Sequence, residues 1–136
     1  MTEIDEAFLD ELVEAARKAR AAAYAPYSDY RVGAAIATED GRIFTGCNVE
    51  NASYGATVCA ERNAIGAMVV AGASKPVACA VVTGGTKPGS PCGMCRQGLV
   101  EVVREMPGVL IAETANGDVR RDTMLADLMP DVFELE

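Results

Sequence analysis

A layered α/β fold is the architecture that this sequence predicts, and three observations carry it. Helix-period and strand-period segments follow one another in the order helix, hairpin, helix, strand, helix, strand. Residues 77–83 form a continuous apolar run, as expected for a strand covered on both faces. Glycines, prolines and short polar turns separate the segments, with no internal repeat, low-complexity stretch or linker between them. At 136 residues the chain has the size of one domain, spanning residues 1–136.

Residues 4–23 place Phe8, Leu12, Ala15, Ala19 and Ala22 on one face, which predicts an amphipathic helix. Tyr24-Ala25-Pro26-Tyr27-Ser28 breaks it. Residues 32–38 and 42–47 flank a Glu39-Asp40-Gly41 turn and read as a β-hairpin. Residues 48–58 are polar and contain glycine, and predict an ordered loop. Residues 60–71 form a helix with a stripe of Ala60, Ala64, Ala67, Met68 and Ala71, stopped by Gly72. After the strand at 77–83 and a loop at 84–90, residues 93–105 form a third helix, with Cys95, Leu99, Val102, Val103 and Met106 along one side. Residues 109–112 are a strand, Asn116-Gly117 is a turn, and Val119 begins a short fifth strand. Residues 125–129 make a helical turn before Pro130.

Composition narrows the function classes. Half of the residues are hydrophobic but only 5% are aromatic and none is Trp, so the core must be built from Ala, Val, Leu and Ile. A small chain of this kind gains further burial by oligomerising. The net charge of −8 opposes a protein that grips nucleic acid, which needs clustered Lys and Arg. Arg17-Lys18-Arg20 and Arg120-Arg121 read as solvated faces. The acidic Met1-Thr2-Glu3-Ile4-Asp5-Glu6 start does not look like a secretory signal, and no apolar run approaches the roughly 18 residues of a membrane span. The expectation is a cytoplasmic protein with no membrane partner. Five cysteines then read as reduced thiols or metal ligands. The absence of histidine removes every His-based triad, base and metal site within one chain, leaving sulfur and carboxylate; sulfur favours zinc.

The chemistry concentrates in Cys59-Ala60-Glu61 and Pro91-Cys92-Gly93-Met94-Cys95. Cys92 and Cys95, three residues apart, can meet one ion, and Cys59 supplies a third sulfur from elsewhere. A structural zinc would want a fourth protein ligand, whereas three ligands leave a position for water. Cys47 and Cys79 fall in strands and read as core residues. Cys59 precedes one helix, while Cys92 and Cys95 straddle the start of another. The partial positive charge and free N–H groups of a helix start favour thiolates. Three thiolates leave Zn²⁺ with a formal charge of −1, and Arg62 is the candidate to offset it from outside the ligand set. Glu61 is placed to move protons beside a zinc-activated water. In a binding module with a structural zinc, Glu61 would instead be an ordinary surface residue.

The pair of motifs matches H-x-E…P-C-x-x-C in its three-cysteine variant, the signature of zinc nucleobase deaminases. Over nearly its whole length the chain resembles the small, homotetrameric type of cytidine deaminase. The matching stretches are Tyr24-Ala25-Pro26-Tyr27-Ser28, Val32-Gly33-Ala34-Ala35, Gly46-Cys47-Asn48-Val49-Glu50-Asn51, Cys59-Ala60-Glu61-Arg62 and Ser90-Pro91-Cys92-Gly93-Met94-Cys95-Arg96-Gln97. Leu128-Met129-Pro130-Asp131-Val132-Phe133 resembles the family's closing segment.

The resemblance implies a three-layer α/β/α fold with a mixed five-stranded sheet and helices on both faces. It implies one Zn²⁺ per subunit held by Cys59, Cys92 and Cys95, and Glu61 as the catalytic group. The implied reaction converts cytidine or deoxycytidine and water to uridine or deoxyuridine and ammonia, in pyrimidine salvage. The same match implies substrate contacts. Asn48 and Glu50 would bind the ribose hydroxyls, Tyr30 (where the family usually has Phe) would pack on the base, and the Ala60 N–H would read the pyrimidine O2. Tyr54 and Phe133 resemble positions that complete a neighbouring subunit's site in a homotetramer; simple packing is the other reading for those two. A deaminase of a modified cytidine or other aminopyrimidine nucleoside, such as a nucleoside antibiotic, is the alternative function.

Overall fold

The structure is a computed structural model describing residues 5–104 and 108–135. Five strands, β1 (Val32–Thr38), β2 (Ile43–Cys47), β3 (Pro76–Thr83), β4 (Val109–Thr114) and β5 (Arg120–Met124), form one mixed sheet in the order β2-β1-β3-β4-β5. β3 and β4 are parallel; the other neighbours are antiparallel. The helices are α1 (Glu6–Arg20), α2 (Ala60–Val70), α3 (Gly93–Val103) and the short α4 (Leu125–Leu128).

Alternation along the strands sorts the core into two layers. Ala34, Ile36, Cys79, Val81 and Leu110 face α2 and α3, meeting Ala60, Ala64, Met68, Leu99 and Val103. Ala35, Ala37, Ala78, Ala80, Val82 and Ile111 face α1, meeting Leu12, Val13 and Ala16. Helices therefore cover both faces, as the sequence resemblance implies, and β3 is buried at every position, as its apolar run requires.

Several boundaries differ from the sequence reading. α1 stops at Arg20 rather than at residue 23: Ala21, Ala22 and Ala23 each bond three residues back, to Lys18, Ala19 and Arg20, so the last turn tightens. Ala22 thereby leaves the helical phase and is exposed, and the buried stripe is Leu12, Val13 and Ala16. On α2 the buried line is Ala60, Ala64 and Met68, while Ala67 and Ala71 are exposed. This is an i±4 ridge, inclined to the helix axis, along which one helix packs across its neighbours. β4 runs on to Thr114, and β5 is a full five-residue edge strand. Its Arg-Arg-Asp-Thr-Met sequence hides it, because backbone pairing to β4, not apolar burial, holds it in place. The expected helix positions Ile4, Glu105 and Met106 lie outside the described residues.

Two glycines set how closely the helices approach the sheet. A Cβ on Gly33 in β1 would fall 1.9 Å from the Ala16 carbonyl oxygen of α1. A Cβ on Gly46 in β2 would fall 2.5 Å from both the Ala60 oxygen and the Ala64 nitrogen of α2. The Asn63 side-chain amide also donates to the Cys47 carbonyl at 2.8 Å, pinning the first turns of α2 to the end of β2. Gly46→Ala must push α2 off the sheet. The expected cost is about 1–3 kcal/mol, read as a lowered thermal midpoint, accompanied by weakened metal retention because Cys59 moves with the helix.

Candidate metal and active site

The site lies at one end of the sheet, where β1 begins and where β2 and β3 end: Gly33 pairs with Cys47 and Val32 with Thr83. The starts of α2 and α3 converge there. Cys59 is the residue before α2, Cys92 the residue before α3, and Cys95 lies in α3's first turn. The Cys59 and Cys92 sulfurs are 3.9 Å apart, those of Cys92 and Cys95 3.4 Å apart, and all three lie within 4.8 Å of one another. Sulfurs bound tetrahedrally to zinc at about 2.3 Å stand about 3.8 Å apart, so both the donor set and the spacing fit zinc. Among the described residues no fourth protein donor joins the group. Cys79 is buried in the core, where desolvation and, secondarily, the Glu61 charge push its thiol up; Cys47 is half-buried rather than fully enclosed.

The three thiols are not equivalent. Burial works against ionising Cys92. Hydrogen bonds from the Cys95 backbone and thiol, the Cys59 thiol and the Met94 N–H outweigh it and hold Cys92 below the ordinary thiol value. Cys95 is pushed up by burial first, then by the Glu61 charge and its sulfur neighbours. Metal ligation needs the sulfurs as thiolates, so metal uptake must displace the proton that burial favours on Cys95.

Glu61 lies in the first turn of α2 and is only 4% exposed, the one buried charged residue among those described. Burial pushes its carboxyl up, against weaker opposing hydrogen bonds from its own backbone and Cys95 and the Arg62 charge. Arg62 reaches back to the Cys59 sulfur at 3.9 Å and the Thr57 carbonyl at 3.3 Å. Hydrogen bonding to Cys59 raises its pKa; desolvation opposes and Cys95 reinforces this. Its buried Nε has no hydrogen-bond partner among the described residues. Ala60 is fully buried as the first residue of α2, so its N–H is one of the donors that a helix start leaves without an intrahelical partner.

The other sequence-derived candidates form a second group beside the first. Residues 48–50 are clamped between two strand-like partners. Val49 exchanges backbone hydrogen bonds with Val58 (2.9 and 3.0 Å), next to Cys59, and Tyr24 pairs with the same segment on its other side. Asn48 is buried; its amide donates to the Tyr30 carbonyl at 2.8 Å and accepts from the Val32 N–H at 2.9 Å. Glu50 accepts from the Tyr27 and Ser28 N–H groups at 2.9 and 3.2 Å and from the Ser28 hydroxyl. The Ser28 hydroxyl holds its carboxyl below the usual range, burial opposes, and the two N–H groups add to the effect. Tyr30 reaches across to Gly89 in the loop before Cys92: its hydroxyl is 2.7 Å from where a Gly89 Cβ would stand. Tyr54 and Phe133 are 80% and 70% exposed, aromatic surface that one chain leaves uncovered.

Two supporting residues escaped the sequence reading as individuals. Arg96 donates to the Pro91 carbonyl (2.8 Å), the Ser90 hydroxyl (2.9 Å) and the Leu128 carbonyl (3.0 Å), bracing the loop that carries Cys92 against α4. Ser28 links Glu50 and Tyr30. Both sit inside stretches that carry the family resemblance, which was the available signal; the remote partners, Leu128 for Arg96 and Glu50 for Ser28, are visible only in the fold.

The comparisons with known proteins agree with this geometry. The family described as "Cytidine and deoxycytidylate deaminase zinc-binding region" matches residues 3–110. A cytidine deaminase of Sporosarcina psychrophila is 41% identical over 128 residues, covering 94% of this chain and 93% of that protein. One from Mycobacterium tuberculosis is 44% identical over 121 residues, covering 89% and 86%. The crystal structure of cytidine deaminase from Burkholderia pseudomallei superposes with a TM-score of 0.85 at 44% identity, over 98% of this chain and 100% of that one.

Metal analysis after dialysis should find one zinc per chain. Cys92→Ser and Cys95→Ser are expected to lose it. Arg62→Gln is expected to weaken retention roughly 10- to 100-fold in competition with a chelator; unchanged retention in that variant would remove Arg62 from the site.

Proposed function

This chain belongs to the cytidine and deoxycytidylate deaminase family, and from that premise we propose how its own residues carry out the zinc-dependent hydrolytic deamination of cytidine to uridine and ammonia. The observation that carries the reading is the convergence of three thiols from two helix starts with a buried carboxylate in the first turn of α2. Cys59, Cys92 and Cys95 hold the zinc. When bound, it supplies Lewis-acid chemistry, lowering the pKa of water from 15.7 to about 7.

Water adds across the C4=N3 bond of the base. Glu61 takes a proton from that water and delivers it to N3 while oxygen bonds to C4. It then carries the remaining hydroxyl proton to the exocyclic amine. The C4–N bond breaks, ammonia leaves, and the C4 carbonyl of uridine remains. The burial that raises the Glu61 carboxyl suits a group that must both accept and return protons near neutral pH. Arg62 offsets the sulfur charge, which otherwise weakens the cation as a Lewis acid. The Ala60 N–H reads the pyrimidine O2 and Tyr30 packs on the base. Asn48 and Glu50 take the sugar, and the Glu50 charge repels a phosphate, selecting nucleosides over nucleotides. The comparisons favour cytidine itself over a modified aminopyrimidine nucleoside.

The whole chain acts as one domain in this proposal, within a homotetramer in which Tyr54 and Phe133 complete neighbouring sites. Their exposure in the single chain supports that role. Among the described residues no helix is long and apolar enough to cross a membrane, and we place the enzyme in the cytoplasm, in pyrimidine salvage.

Glu61→Gln should keep its zinc and lose turnover by about 10²–10⁴, followed as loss of cytosine absorbance; undiminished turnover would refute the assignment. Light scattering should give about four times the 14.2 kDa chain mass, and a monomer at assay concentration would refute the tetramer.

A further inference from the structure

We propose that Ser28 is a positioning residue that locks the Glu50 carboxylate to the Tyr30 backbone and so fixes the sugar end of the site relative to the base end. The inference rests on the reading of Glu50 and Tyr30 as sugar- and base-contacting groups.

A hydroxyl offers one donor and two acceptor sites, and Ser28 uses both functions. Its O–H donates to Glu50 Oε2, and its Oγ accepts from the Tyr30 N–H at 3.0 Å. Asp29 between them adopts a left-handed backbone, φ 55°, which returns the chain so that the two groups meet. The Tyr30 carbonyl is held from the other side by the Asn48 amide at 2.8 Å. Both polar ends of the Tyr30 residue are thus tied to groups whose neighbours form the sugar subsite, while its ring spans to Gly89 near the metal ligands.

The same bonds ration the carboxylate. An ionised carboxylate has about four acceptor sites. The chain fills two on Oε1, with the Tyr27 and Ser28 N–H groups, and one on Oε2, with the Ser28 hydroxyl. Among the described residues one direction on Oε2 remains, and the Ser28 hydroxyl determines where it points. Glu50 is therefore set to accept from a single sugar hydroxyl in a fixed direction. Without Ser28, Oε2 is free to turn and Tyr30 loses its N–H partner.

The test compares wild type, Ser28→Ala and Ser28→Thr on cytidine and on 2′,3′-dideoxycytidine, which lacks the hydroxyls that Glu50 would bind. Ser28→Ala should lower kcat/KM for cytidine roughly tenfold, the scale of one hydrogen bond to a charged group. It should lower the smaller value for the dideoxynucleoside clearly less, because the Asn48 amide still holds Tyr30 by its carbonyl, and Ser28→Thr, which keeps the hydroxyl, should restore cytidine turnover. Equal losses on both substrates would mean general loosening of the loop and would overturn the proposal, as would no loss on either. The Glu50 carboxyl, followed by its carbon resonance in a pH titration, should move up toward the ordinary carboxylate value in Ser28→Ala; an unmoved titration also overturns the proposal. If the zinc-loaded wild type turns over neither nucleoside, the deaminase reading fails by itself, and the titration still decides whether Ser28 holds Glu50.

Discussion

Three thiols can share one divalent cation only if α2 and α3 begin side by side, because Cys59 precedes one helix and Cys92 and Cys95 open the other. That convergence constrains much of the molecule. The parallel β3–α3–β4 crossover delivers α3 to the same face as α2. Gly46 admits the α2 backbone to a distance that any side chain would forbid. Asn63 and Arg96 anchor the two ligand-bearing segments to β2 and α4. The two helix starts also bring fixed positive dipole ends to a place where several negative groups must coexist.

Crowding those groups has a chemical use. Burial disfavours the anions of both Glu61 and Cys95, and the Glu61 charge adds to the penalty on Cys95. A cation offsets that penalty. Arg62, placed between the Thr57 carbonyl and the Cys59 sulfur, adds a positive charge that takes up no position on the metal. Glu61 is buried with its carboxyl pushed up, as the proton transfer proposed for it requires; a carboxylate exposed to water would be too weak a base at neutral pH.

A second network, built on different physics, stands beside the first. Tyr24 bridges to residues 48–50 through backbone hydrogen bonds, but residues 25–31 belong to no strand and are held by Asn48, Glu50 and Ser28 through side-chain hydrogen bonds. Irregular backbone near a binding site needs such bonds, since its N–H and C=O groups have no ladder to satisfy them. The groups expected to meet the nucleoside are therefore also the groups that build the loop, so substitutions there combine loss of contact with loss of position.

By itself the sequence determined the layered α/β order, the strand at 77–83, the cysteine set and its companion Glu61. Each is encoded locally, in periodicity or in motif spacing, and local signals survive in one dimension. Element ends and edges were less legible. The close of α1 depends on a tightened last turn, and β5 has an edge-strand sequence without an apolar pattern. Only the tertiary structure decided which helix faces are buried, that Asn48 and Glu50 are bound to the Tyr27–Val32 segment, and that Ser28 meets Glu50 and Arg96 meets Leu128. Those features are contacts between residues far apart in the chain. Their existence depends on how closely layers approach, and a glycine such as Gly46 shows its importance only when the helix it admits is in place.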